Sequence, residues 1–310
     1  MRIAIIGRSQ LLYDTAKLLH DAGYNIALIV TAKEAPEYTK TSKDFEKFAN
    51  EVNAVYIYTP KINLEEYVVQ IKALGVIELA VSINYTGVIS QEVIDIFPLG
   101  ILNAHAGDLP RYRGNAPLAW AIINGEKRAG LCIHKMIGSE LDSGNILAKD
   151  YSDINENTRV FDLFNWIENK IPELIFSAIN KLKEDPKFIG EQQSKDHKDA
   201  LRCYPRLPED GKIDWHETNI NVLRLINASS EPFSGSFCYY KNLQLKVWKA
   251  ELVHSNEKFL AVPGQVCKIN SDKSIDVATG NGMIRILEIE YENQRTVPTH
   301  LIKSIRSRFE

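Results

Sequence analysis

Cysteine is scarce: Cys132, Cys203, Cys238 and Cys267 stand far apart, with no CxxC pair among them. That spacing excludes a disulfide framework and a cysteine zinc site, and it reads as reduced thiols in a cytoplasmic protein. No apolar run approaches the roughly 20 residues that a membrane helix needs. The apolar part of the opening "MRIAIIGRSQ" is too short for a signal peptide and reads as a first strand. An excess of positive charge is also missing: 37 Lys and Arg face 40 Asp and Glu, a formal charge of -3. Residues 201–310, with 15 basic and 13 acidic side chains, are close to neutral as well. Composition therefore argues against a chain whose main partner is a nucleic-acid backbone. The first strand is followed by "GRSQLL", which offers Gly7 alone of the glycines of GxGxxG, so a nicotinamide dinucleotide is not supported. No GxSxG elbow, internal repeat, low-complexity segment or metal-ligand cluster occurs.

What is present is length and alternation. At 310 residues and 45% hydrophobic, the chain can bury a sizeable core and build two domains. "RIAIIG" is a β-branched run, and "QLLYDTAKLLHDA" places Leu11, Leu12, Ala16, Leu18, Leu19 and Ala22 largely on one helical face before "YNIALIVT" returns as a strand. Helical "DFEKFANEV", "NLEEYVVQIKALG" and "SQEVIDIF" then alternate with strand-like "AVYIYT", "IELAVSIN" and "GILNAHA". This is the pattern of an α/β fold, a Rossmann-like doubly wound and mostly parallel sheet, whose ligand crevice lies at the carboxyl ends of the strands. A long amphipathic stretch, "TRVFDLFNWIENKIPELIFSAINKL", contains Pro172, a candidate bend or break. Residues 1–190 form the first domain in this reading, the polar, Pro-containing residues 191–212 a linker, and residues 213–310 a second domain. The second domain has one short helix followed by short, turn-separated strands, the pattern of a small OB-like β-barrel.

The chemistry concentrates in "NAHAGDLPRYRGNAPLAW", Asn103 to Trp120. In an extended segment Asn103 and His105 project to one side, so a carboxamide and an imidazole face one substrate. The carboxamide N–H suits a carbonyl oxygen gaining negative charge, and a neutral imidazole accepts a proton from an attacking amine. Asp142, on the later loop "GSELDSGN", is placed to orient the imidazole and raise its pKa. The trio points to acyl transfer without a covalent intermediate. Pro110 fixes a backbone dihedral in the intervening turn, and Gly114 allows close packing. Arg111 and Arg113 admit two roles, anchoring the loop or contacting a substrate phosphate. His134, His216 and the tryptophans read as structural.

The block "NAHAGDLPRYRGNAPLAWAIINGE", continued by "GLCIHKMIGSELDSGNIL", resembles the signature of the 10-formyltetrahydrofolate-dependent formyltransferases. That family contains the methionyl-tRNA, glycinamide ribonucleotide and amino-sugar formyltransferases. The likeness continues through "CYPRLPEDGKIDW" and "SEPFSGSFCYYKNLQLKVWKA" to "IKSIRSRF", and so covers most of the chain. It implies that residues 1–190 are the catalytic domain, that Asn103, His105 and Asp142 are catalytic, and that 10-formyltetrahydrofolate is the donor. It further implies a folate wall from Asn84, Tyr85, Leu109, Pro110, Gly138 and Leu141, and acceptor contacts from Arg8, Gln10, Tyr13, Arg111 and Arg113.

"GDLP" stands at Gly107 to Pro110 where the tRNA enzymes carry "SLLP". With "YPRLPEDGKIDW" and "EPFSGSF", this resembles the amino-sugar enzymes and leads to a nucleotide-linked amino sugar as the expected acceptor. A UDP- or dTDP-linked 4-amino-4,6-dideoxy sugar for surface glycan or lipopolysaccharide biosynthesis is the first choice. On that reading there is no nucleic-acid or membrane partner. Methionyl-tRNA is the alternative acceptor. A formate-releasing hydrolase, or a binding protein without catalysis, are alternatives of another class; the latter would have lost one of the trio, and all three are present. A homodimer is compatible with the layout, though no sequence feature establishes it.

Overall fold

The computed structural model describes every residue except 36, 37, 139, 197 and 256. It divides the chain into two compact units. The first comprises Met1–Gly114, Gly130–Tyr151 and Asn165–Cys203, and the second Asn115–Ala129, Ser152–Phe164 and Tyr204–Glu310.

The chain begins with alternating strands and helices. These are β1 (Arg2–Gly7), α1 (Gln10–Asp21), β2 (Asn25–Thr31), α2 (Ser42–Glu51), β3 (Val55–Tyr58), α3 (Glu65–Lys72), β4 (Leu79–Ile83), α4 (Gln91–Ile94) and β5 (Ile101–His105). The two-residue β6 (Arg113–Gly114) precedes α5 (Pro117–Ile123), β7 (Arg128–Lys135), β8 (Ile146–Asp153) and the 25-residue α6 (Val160–Glu184). Seven strands form one sheet in the order β3-β2-β1-β4-β5-β7-β8, parallel from β3 to β5, with β7 antiparallel to β5. The chain winds outward on both sides of β1 and β4, the doubly wound arrangement that opens a crevice at the strands' carboxyl ends.

The strands β1, β2 and β4 are buried along almost their whole length because both faces are covered. Ile3, Ile5, Ile6, Leu28, Ile29, Val30 and Val81 are all fully buried. Each such side chain contributes about 1.5–3 kcal/mol on leaving water. On α1 the buried residues are Leu12, Thr15, Ala16 and Leu19. Leu18, expected on the apolar stripe, is 45% exposed, because one residue's turn of about 100° carries it away from Leu19. The expected helix at "SQEVIDIF" is confined to the four residues of α4. Helix α6 runs unbroken through Pro172. Burial of Ile167, Ile171, Leu174, Ile175, Ala178, Ile179 and Leu182 along one stripe outweighs the hydrogen bond that proline forfeits.

Within the polar stretch 191–212, residues through Cys203 group with the first unit, where β9 (Arg202–Cys203) pairs in parallel with β6. The second unit then builds α7 (Asn219–Ala228), β10 (Ser236–Tyr240), β11 (Leu243–Leu252), β12 (Val266–Ile269), β13 (Ile275–Ala278), β14 (Met283–Tyr291) and β15 (Gln294–Thr296). Its sheet is antiparallel, in the order β10-β11-β14-β13-β12, with β15 on β14. Val222, Leu223 and Ile226 of α7 join its core, where Trp215 stacks on Phe309 with ring centroids 5.5 Å apart. Among the described residues no helix is long and apolar enough to cross a membrane.

Candidate active site

Strand β5 ends at the carboxyl edge of the sheet with Asn103 and His105, two residues apart. The antiparallel register of β7 sets His134 opposite Asn103 and Cys132 opposite His105. The Asn103 carboxamide nitrogen lies 3.1 Å from His134 Nε2, and His134 Nδ1 lies 3.0 Å from the carbonyl oxygen of Lys135. A carbonyl only accepts, so Nδ1 carries the hydrogen and the Nε2 lone pair accepts an Asn103 N–H. One run of hydrogen bonds thereby sets both the tautomer of His134 and the direction in which Asn103 presents its amide.

His105 is anchored from the other side, its Nε2 donating to the carbonyl of Tyr112 at 2.7 Å. Its Nδ1 faces Asp142 Oδ2 at 3.5 Å. Gly107 packs directly on this ring: a Cβ there would lie 2.7 Å from His105 Nε2 and 2.6 Å from the Tyr112 oxygen, so any side chain here displaces the ring or the carbonyl.

Asp142 sits in the left-handed region at φ 52°. Its Oδ2 accepts the Gly114 N–H at 2.9 Å, and its Oδ1 is 3.5 Å from His134 Nε2. A Cβ on Gly114, whose φ is 103°, would lie 2.3 Å from the Cys203 carbonyl oxygen, so this donor too depends on glycine. Gln193 braces the same loop, its amide donating to the carbonyls of Asp142 and Gly144, both at 2.8 Å.

Electrostatics follow from burial. His105, His134 and Asp142 are all buried. Burial pushes the His105 pKa below its ordinary 6.5; the charge of Asp142 and the Tyr112 carbonyl push it up without overcoming that penalty. Asp142 acts on the imidazole in the direction expected from the sequence, and desolvation of the ring sets the net shift. Burial also opposes ionisation of Asp142, yet in the acid range where this carboxyl titrates the protonated rings of His105 and His134, with the Gly114 N–H, outweigh it and hold the carboxyl at about 2. The resting state is a neutral imidazole beside an anionic carboxylate. A proton taken up at Nδ1 creates an imidazolium with its counterion 3.5 Å away. Asn103 has one N–H engaged by His134 and a second to offer an oxygen that gains charge.

The remaining residues singled out in the sequence are placed as follows. Arg113 donates to Gln193 Oε1 at 3.2 and 2.7 Å, an anchoring contact within the loop network. Arg111 lies over the ring of Tyr112. Leu109 is buried with Cys132 and Ile146. Leu109, Pro110 and Arg111 line an open cleft of about 660 Å³ together with Ser194, Lys198 and Asp199, and the trio does not line it. Arg8 donates to the carbonyls of Asn84 and Lys33, Gln10 is engaged by Asp14 and Thr39, and Tyr13 packs on Phe45 and Phe48. Asn84 approaches Ser9, the Tyr85 hydroxyl donates to the carbonyl of Thr59, and the Gly138 N–H donates to the side chain of Gln91. Leu141 is exposed. The bonds of Arg8, Gln10, Asn84, Tyr85 and Gly138 run to these neighbours and not to the trio. Two residues of the network, His134 and Gln193, were missed. His134 lay inside the motif "GLCIHKMI", but only the β5–β7 register reveals that it faces Asn103.

Comparison with known proteins adds the family. The model described as formyl transferase matches residues 1–179, and that of the formyl transferase C-terminal domain matches residues 207–305. A methionyl-tRNA formyltransferase of Caldanaerobacter subterraneus subsp. tengcongensis is 32% identical over 303 residues, covering 95% of this chain and 94% of the relative. Further relatives between 27% and 33% identical carry the same name. Among solved structures, WlaRD, a sugar 3N-formyl transferase, has a TM-score of 0.65 at 18% identity, covering 95% of this chain and 98% of that one. HypX from Aquifex aeolicus has a TM-score of 0.63 at 15% identity, covering 98% of this chain, which spans only 47% of the HypX structure. Likeness at such identity is likeness of fold.

These findings correct the expected acceptor. The nucleotide-linked amino sugar, with its glycan-biosynthesis role, rested on short loop segments and on the lack of a basic run. The full-length sequence relatives are methionyl-tRNA enzymes, and the sugar enzyme shares the fold alone. The physical flaw lies in the charge argument: a surface that meets a phosphate backbone gathers its cations from separate strands and loops, so a contiguous basic run is not required.

Proposed function

Because the chain belongs to the formyl transferase family, we propose that it transfers the formyl group of 10-formyltetrahydrofolate to the amino group of methionyl-tRNA. The observation that carries the acceptor is the 32% identity to a methionyl-tRNA formyltransferase across nearly the whole of both chains. When bound, the folate supplies the formyl carbon that the amine attacks. The donor set of this chain suits that chemistry. Asn103 offers its second N–H to the formyl oxygen as negative charge develops there, and His134 holds the carboxamide in that orientation. His105, neutral at rest, takes the proton released by the attacking amine, the anionic Asp142 stabilises the resulting imidazolium, and the imidazolium returns that proton to the departing folate nitrogen as its bond to the formyl carbon breaks. Leu109, Pro110, Gly138 and Leu141 are the proposed folate wall.

The test is formyl transfer from labelled 10-formyltetrahydrofolate to charged initiator methionyl-tRNA, run beside uncharged tRNA and nucleotide-linked amino sugars. Formyl-methionyl-tRNA as the sole labelled product is the expected outcome. Label on the sugar alone would overturn the acceptor assignment.

A further inference from the structure

Gln193 is the one partly buried residue among the exposed, described residues from Glu191 to Asp199. Its carboxamide has no idle atom. The nitrogen donates to the carbonyls of Asp142 and Gly144, both at 2.8 Å, and the oxygen accepts Arg113 Nε at 3.2 Å and Nη2 at 2.7 Å. Guanidinium groups only donate and carbonyls only accept, so this amide has one admissible orientation. It ties together three chain segments of the first unit: the Asp142 loop, the start of β6, and the stretch ahead of β9. The same β6 supplies the Gly114 N–H that holds the Asp142 carboxylate.

From this arrangement we propose that Gln193 is a positioning residue for catalysis, fixing the Asp142 carboxylate against His105 by capturing the backbone carbonyls on either side of Ser143. Asp142 adopts a left-handed backbone at φ 52°, a conformation costly for a residue with a Cβ unless its surroundings determine it. Two carbonyls held by one saturated amide supply that determination. Without Gln193 the loop relaxes, Oδ2 moves from His105 Nδ1, and the imidazolium formed in the reaction loses its counterion. The titratable or charged groups around His105 are Asp142, His134 and Arg113. Of these only Asp142 raises its pKa, so loosening Asp142 moves the His105 titration to lower pH.

The proposal rests on the catalytic roles given above, and it is tested by a readout that needs no acceptor. The His105 ring titration is followed by NMR in the full-length protein, wild type against Gln193→Ala and Gln193→Met, the latter keeping side-chain length without hydrogen bonds. The expected result is a downward shift of the His105 midpoint in both variants. In the formylation assay kcat falls roughly 10- to 100-fold, the scale of a catalytic group displaced by about an ångström, with KM for donor and acceptor unchanged within about twofold. An unmoved titration with wild-type kcat in Gln193→Met overturns the proposal. So does loss of the folded state in both variants, which would make Gln193 a stability residue only. If the wild type leaves methionyl-tRNA untouched while the titration shifts as expected, the acceptor assignment fails and the positioning role stands.

Discussion

Substituting Asp142 by asparagine removes one charge and almost no volume, which makes it a clean probe of the site. The amide oxygen of the Asp142→Asn variant can still accept the Gly114 N–H that binds Oδ2 at 2.9 Å in the wild type. What disappears is the counterion 3.5 Å from His105 Nδ1. Unit charges at that distance interact by about 5 kcal/mol at an effective dielectric near 20. Part of this is offset because the buried carboxylate is itself costly to desolvate, so the expected loss in kcat is roughly 10²- to 10³-fold. The pH profile carries the sign. A base must be unprotonated to act, so activity falls as pH drops through the His105 pKa; without Asp142 that pKa is lower still, and the acid limb moves to lower pH. Stability supplies a second reading. The folded Asp142 carboxyl is held at about 2 against an ordinary 3.8, so on acidification the unfolded chain binds this proton first. Acidification therefore favours the unfolded chain as pH falls through about 3.8 toward 2. Asp142→Asn lacks this titration, so its urea midpoint falls less steeply than that of the wild type between about pH 4 and pH 2. A variant with kcat within threefold of wild type and an unmoved acid limb would refute the assignment of Asp142 as counterion.

Three further outcomes are expected. His134→Ala frees the Asn103 carboxamide and lowers kcat roughly 10- to 100-fold with little change in donor KM; an unchanged kcat would separate His134 from the reaction. Gly107→Leu drives a branched side chain into the His105 ring and the Tyr112 carbonyl, a larger displacement than the serine of "SLLP" requires, so it abolishes most activity while circular dichroism stays that of the wild type; full activity would contradict the ring placement. Arg285→Ala leaves the buried Asp276 carboxylate to Asn270, after losing Arg285 contacts at 2.7 and 3.2 Å. That change destabilises the second unit by about 3 kcal/mol in urea unfolding, and a loss below about 1 kcal/mol would mean that the carboxylate finds another partner.

What the sequence made legible follows the range of the interactions involved. The doubly wound sheet is written in strand and helix periods of a few residues, and Asn103 and His105 share a side because a strand alternates. Asp142 was found through a motif, although the reason it lies beside His105 is tertiary: β6 must bring the Gly114 N–H to its carboxylate, and Gln193 must capture its carbonyl. His134 was passed over as structural because nothing local distinguishes a strand histidine that faces a core from one that faces Asn103; the antiparallel β5–β7 register decides it. The upward pull of Asp142 on the His105 pKa was visible in the motif, while the depth of burial that sets the net shift was not.

The acceptor is the part furthest from local sequence, and the reason is physical. Formyl transfer is a property of a few atoms around one imidazole, and any amine that reaches them serves the chemistry equally. Discrimination among amines comes from surfaces that meet the rest of the acceptor, and those are assembled from residues far apart in the chain. The basic side chains of the second unit illustrate this: Lys246 and Lys249 come from β11, Arg285 from β14 and Arg295 from β15, and adjacent strands bring them onto one sheet. All four are ion-paired within the unit, to Glu231, Glu251, Asp276, Glu288 and Glu290, so side chains of both signs are gathered from distant positions and the net charge stays low. Net composition therefore says little about where charges gather on a surface. Similarity along the full chain samples those dispersed surfaces together, which is why it bears on methionyl-tRNA where a count of basic residues does not.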